Sequence, residues 1–205
     1  MQERLRPLFF INTYVDRESQ LIWEAYLSES FTDEIRRSYA PTSGGATLQQ
    51  TPGEYHYSTP ADFVLQHGYE FESQQLTEEE LATLQSTLDR LCSYKIKQCY
   101  YNASQVTLMN PEIKYVEGFS QAHGIPFPHA WNSINNKIVD VTIKQTSDAE
   151  PILGIIPAGS AYFGVELSRE LITNRFGKMN AGDQWTPFID DYTNSWPLLK
   201  KQFKQ

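Results

Sequence analysis

Residues 129–143 read His-Ala-Trp-Asn-Ser-Ile-Asn-Asn-Lys-Ile-Val-Asp-Val-Thr-Ile. Two β-rich runs, Ala130–Ile134 and Ile138–Ile143, flank the pair Asn135-Asn136. Asparagine tolerates left-handed backbone, so the pair suits a two-residue hairpin turn. In the register centred on that turn, Asp140 lies opposite Trp131. It is then a diagonal neighbour of His129, about 7–8 Å away between α-carbons. Three further β-rich runs, Lys114–Phe119, Leu153–Ile156 and Ala161–Val165, add strands. Before them the period is helical. Thr77 with Glu80 makes a capping-box pattern, followed by Leu81, Leu84, Leu88 and Leu91 at helical spacing. Cys99 opens a second helical stretch that ends at Asn110-Pro111. Near the start, Asp16 is placed to cap a helix carrying Leu21, Ile22, Ala25 and Tyr26 on one face. Residues 41–60 are rich in turn formers and read as a surface connector. Ser168 begins another helix, and residues 180–205 read as irregular packing with a basic end. Helices first, then an antiparallel sheet, is the α+β pattern.

A chain of 205 residues fits one domain. With 40% hydrophobic and 13% aromatic residues it carries enough apolar material for a core, which excludes wholesale disorder. The net charge of −8 argues against nucleic acid or an anionic membrane as the main partner. No apolar run reaches the roughly 18–20 residues of a membrane helix, and the first residues do not read as a signal peptide. Two cysteines are too few for a disulfide framework and fit a reducing, cytoplasmic setting. There is no Walker A loop, no dinucleotide-binding glycine pattern and no nucleophile elbow.

Three residues suggest chemistry when taken together: Cys99, His129 and Asp140. A thiol at a helix N-terminus meets unpaired amides and the positive end of the dipole, both of which favour thiolate. A neighbouring imidazole favours it further, and a carboxylate across the hairpin would hold that ring and stabilise its charged form. Taken singly, each has a plainer reading: Cys99 as a small buried hydrophobe, His129 as a structural strand residue, Asp140 as a turn anchor. Trp131 alternates with His129 onto the same face, either as a shield for the ring or as core. Glu117 reads as a solvent-facing strand residue in preference to a polar anchor beneath the site. His123 reads as a loop residue and Cys92 as core. Zinc bound by Cys92, Cys99, His123 and His129 is disfavoured, because finger thiols sit two to four residues apart; no metal and no cofactor is expected.

The segment His129-Ala130-Trp131-Asn132, with Lys137 through Thr142, resembles a block of the papain-like and transglutaminase-like cysteine enzymes. Cys99-Tyr100-Tyr101-Asn102-Ala103 resembles the cysteine-bearing helix start of that superfamily. Tyr115 through Phe119 and Tyr162 through Val165 resemble core strands of its small bacterial and phage-encoded members. The resemblance covers about 95–165, in the order Cys, His, Asp. It implies a papain-like/transglutaminase-like core over 95–165; residues 1–90, a mostly helical extension, and 166–205, a C-terminal packing segment, lie outside the resemblance. It also implies roles: Cys99 as nucleophile, His129 as base and then acid, Asp140 as orienting group. The oxyanion would meet the Cys99 amide and one further donor. Papain-like enzymes often place a glutamine several residues before the cysteine; here Ser93 stands six before and Gln98 is adjacent. Gln98, Ser93, Tyr94 and Trp131 are therefore the oxyanion or substrate-binding candidates. The implied activity is that of a hydrolase or acyltransferase acting on an amide of a peptide or protein through a thioester. The alternatives are an inactive relative that binds a peptide or protein, and an effector-type glutamine deamidase or transglutaminase.

Overall fold

The computed structural model describes residues 31–39, 54–91, 95, 97–122, 125–142, 151–180 and 185–200. The helix expected after Asp16 lies outside these residues; the described helical turns begin with 31–39 (α1), which buries Phe31 and Ile35. Helix α2, Pro60–His67, was not expected inside the connector and its flank. Its signals are local: Thr59 accepts from the Asp62 amide, and Pro60 stands in the first turn, where its missing N–H costs nothing. Helix α3 spans Glu78–Leu88, with the full capping box between Thr77 and Glu80. Helix α4 is Cys99–Met109 and α5 is Arg169–Phe176, the latter capped by Ser168. Two short 3-10 turns, Tyr192–Asn194 and Pro197–Leu199, close the described chain.

The strands are β1 (Tyr69–Glu70), β2 (Lys114–Ala122), β3 (Ile125–Ile134), β4 (Lys137–Asp140), β5 (Ile152–Leu153) and β6 (Ser160–Leu167). They form one six-stranded antiparallel sheet in the order β1-β6-β2-β3-β4-β5. The fold is α+β: helices α1 to α4 lead into the sheet, with the short β1 joining it from between α2 and α3. Strand β1 therefore comes from the stretch read in sequence as helical extension.

The hairpin has the expected register. Ile134 pairs with Lys137 across Asn135 and Asn136, whose φ angles of 49° and 67° are left-handed, and Asn132 pairs with Val139. Glu80 of α3 grips this turn, accepting from Asn135 Nδ2 at 2.9 Å and Lys137 Nζ at 2.8 Å. Strand β4 stops at Asp140, earlier than the run to Ile143 suggests. The reason is the side chain: Asp140 Oδ1 accepts from the Thr142 amide at 3.0 Å and turns the backbone out of the ladder. Strand β3 outruns β4, and Pro126 and Pro128 fall in the overhang. With Ile134 bonded to Lys137, even-numbered β3 residues turn their amides to the β4 side, so these prolines cost no ladder bond to β2.

Register assigns the two sheet faces. Tyr115, Ala130, Val139 and Val165 share the one that packs on α4 and its neighbours; Val116, Trp131, Ile138, Ile152 and Tyr162 share the other, with Phe71 against them. Gly118 and Gly164 lie side by side in register with His129. A Cβ on Gly164 would stand 2.6 Å from Trp131 Cη2, and one on Gly118 would stand 2.4 Å from Gly164 Cα. Gly164 thus lets the indole lie close against the sheet, and Gly118 leaves room for the β6 backbone beside it.

Candidate active site

Cys99 is the first residue of α4, and its helix start differs from the others. In α2, α3 and α5 the N-cap side chain bonds an amide of the first turn; the α4 cap, Gln98, makes no such bond. The first-turn amides of α4 are thus not spent on a side-chain cap. The approach to the helix is nevertheless fixed. Lys97 takes a left-handed φ of 59°, and buried Asn102 clamps Lys95 in both directions, accepting its N–H and donating to its carbonyl, each at 2.9 Å. The helix body is tied to the sheet by Asn132, whose Nδ2 donates to the Ala103 carbonyl at 2.9 Å and to Thr107 Oγ1 at 3.1 Å. Cys99 is a free thiol of intermediate exposure.

His129 Nε2 and Asp140 Oδ2 are 2.7 Å apart, with His129 7% exposed and Asp140 fully buried. The ring's other nitrogen, Nδ1, is free of Asp140, and Cys99 lies close enough to the imidazole to favour its charged form. Burial alone would push the imidazolium towards deprotonation. The Asp140 charge and hydrogen bond outweigh it, joined by Cys99, and raise His129 to about 10. The carboxylate and the sulfur thus both favour the charged form of the ring.

Other residues close the pair. Tyr162, from β6, donates its hydroxyl to Asp140 Oδ2 at 3.0 Å, the same oxygen that faces the ring. Trp131 is 1% exposed and stacks beside the imidazole, centroids 6.1 Å apart with 21° between planes; Phe127 meets the ring edge-on at 5.7 Å. Trp131 thus both shields His129 and belongs to the core with Phe71 and Tyr162. Its Nε1–H is buried without a partner.

Cys99, His129 and Asp140 come together. Among the oxyanion or substrate candidates, Gln98 is exposed next to Cys99 with its side chain unused as a cap, and Trp131 lies against the ring. Ser93 and Tyr94 lie outside the described residues, as do Cys92 and His123. Glu117 corrects the sequence reading: it is 2% exposed, not solvent-facing. Its carboxylate accepts from Tyr115, from the Phe188 amide at 2.7 and 2.9 Å and from the Ile189 amide at 2.8 Å. Strand β2 is covered on both faces, so alternation gave Glu117 no solvent side. Desolvation raises Glu117 to about 7, although those donors and Arg175 pull the other way. Sequence reasoning missed Tyr162 and Asn102. The only local signal for Asn102 is a buried-type amide three residues into a helix, where an ordinary surface residue would serve.

Among the described residues, no helix is long and apolar enough to cross a membrane. In comparisons with known proteins, no family model, no curated protein and no solved structure matches this chain.

Proposed function

We propose that the chain is a cysteine-dependent enzyme acting on a carboxamide or peptide bond, a small member of the papain-like/transglutaminase-like superfamily with that core over 95–165. One observation carries the reading: an uncapped helix start presents Cys99 to a buried imidazole that is itself held by a carboxylate. The order Cys, His, Asp and the placement on helix start, strand and adjacent strand support the family assignment. A free thiol at Cys99 fits a reducing compartment such as the cytoplasm.

In the proposed reaction the Cys99 thiolate attacks the carbonyl carbon and a C–S bond forms. The developing oxyanion is met by the Cys99 amide and a second donor, for which Gln98 is the nearest candidate. The C–N bond then breaks, and the amine leaves with the proton from His129 Nδ1. The product is a thioester. Water attacks it, His129 takes the water's proton, and the thiolate departs from the carboxylic acid. An amine in place of water gives the transfer product by the same steps. Water is the default acceptor, because no second site for an amine donor is recognisable.

The test is alkylation of the intact protein with iodoacetamide from about pH 4 to 9, with the adduct located by mass spectrometry. Selective labelling of Cys99 over Cys92, already fast at about pH 5–6 and slowed in His129→Ala, supports the enzyme. Slow, equal labelling of both thiols that follows an ordinary thiol titration points instead to a silent relative that uses the same cleft for binding.

A further inference from the structure

We infer that Tyr162 is a positioning residue of the Cys99–His129–Asp140 site, fixing which oxygen of Asp140 faces the imidazole and, through it, the orientation of the ring. The inference rests on the reading of that site as catalytic and extends it across two further strands.

Tyr162 is on β6, separated from β4 by β2 and β3, and it is 1% exposed. Register places Tyr162 level with Ser120 of β2 and Phe127 of β3, on the face that carries His129 and Asp140. Asp140 lies across β2 and β3 from it, and the phenol reaches over them. At its far end the hydroxyl lies 3.0 Å from Asp140 Oδ2, the oxygen 2.7 Å from His129 Nε2. The ring is held by its neighbours, edge-on to Trp131 at 5.1 Å and tilted to His129 at 6.3 Å.

The direction of the chain follows from the donors. Burial and the Asp140 charge both push the Tyr162 hydroxyl above its ordinary range, so it stays protonated and donates. Tyr162 thus donates to Asp140, with His129 Nε2–H and the Thr142 amide also donating to the carboxylate. Asp140 is therefore a pure acceptor with both oxygens engaged. It cannot rotate without losing a bond, so Nε2 stays turned towards Asp140 and Nδ1 away from it. A carboxylate held only by His129 would lack this constraint.

The test uses the full chain with Tyr162→Phe. Two readouts separate positioning from mere packing: the downfield proton resonance of the His129 Nε2–H bonded to Asp140, and the pH profile of Cys99 alkylation. The expected result for Tyr162→Phe is a weakened or broadened resonance and alkylation at about pH 6 slower by about tenfold, the scale of one hydrogen bond to a charged group. A variant that keeps the wild-type resonance and profile would overturn the inference, even with a lowered melting temperature. Should Tyr162→Phe not fold, the nuclear Overhauser contact in wild type between the Tyr162 hydroxyl proton and the His129 Nε2–H, both on Asp140 Oδ2, decides: its presence supports the inference and its absence overturns it. If wild-type alkylation proves independent of His129, the enzyme reading fails. The resonance still reports whether Tyr162 sets the Asp140–His129 geometry.

Discussion

Asp140 takes three hydrogen bonds on two oxygens, and no residue but a carboxylate at this position can accept them all. Asp140→Asn puts an amide N–H against one of those donors. It is expected to slow His129-dependent alkylation at about pH 6 by roughly two orders of magnitude, because the ring loses its tautomer and orientation. The unfolding free energy is expected to fall by about 1–3 kcal/mol, the cost of a buried group left without its partner. Urea unfolding beside the alkylation rate checks both. His129 gives a pH signature of its own. Its folded value of about 10 lies above its ordinary 6.5, so its contribution to stability is complete below 6.5 and is lost as pH rises through 10. Wild type should lose stability over that span more steeply than His129→Ala. The trio was legible in sequence because its members fall at a helix start and on one hairpin, where local rules fix the placement. Tyr162 was not, because its role depends on β6 lying beside β2, a fact of long-range pairing.

Among the elements, the hairpin turn and α4 were readable to within a residue or so, whereas the strands read as Ala130–Ile134 and Ile138–Ile143 are Ile125–Ile134 and Lys137–Asp140. Asn135-Asn136 set the turn, and Cys99 and Asn110-Pro111 bounded the helix. Helix α2 was hidden by the turn-rich residues before it, although Thr59-Pro60 is a helix start. The C-terminal segment is anchored on β2 by Glu117, whose partners Phe188 and Ile189 lie some 70 residues away, as the separations of 71 and 72 record. No local pattern announces such a clasp. Its titration is testable. Folding raises Glu117 from 4.5 to about 7, so the group's stabilising contribution is full below 4.5 and is lost as pH rises through 7. The neutral variant Glu117→Gln is expected to flatten the stability–pH curve in that window relative to wild type. An unchanged curve would mean that the buried carboxyl titrates as an ordinary one.

For the molecule as a whole, the sheet's two faces do different work. One carries the helices and most of the core; the other carries the His129–Asp140–Tyr162 chain under Trp131. Their meeting point is the pair Gly118 and Gly164. Gly164→Ala forces a methyl to within 2.6 Å of the Trp131 ring and 2.8 Å of the Glu117 carbonyl, neither of which is a flexible chain end. Destabilisation of about 1–3 kcal/mol is expected from overpacking, read as a lowered thermal midpoint. The most direct measurement of the central claim is the far-ultraviolet absorbance of the thiolate, followed against pH as the difference between wild type and Cys99→Ser, then repeated in a His129→Ala background. A thiolate at Cys99 that persists well below about pH 7, and that the His129→Ala background shifts upward, is the expected result. A thiolate that appears only near the ordinary thiol value of about 8.5, whether or not His129 is present, would contradict it.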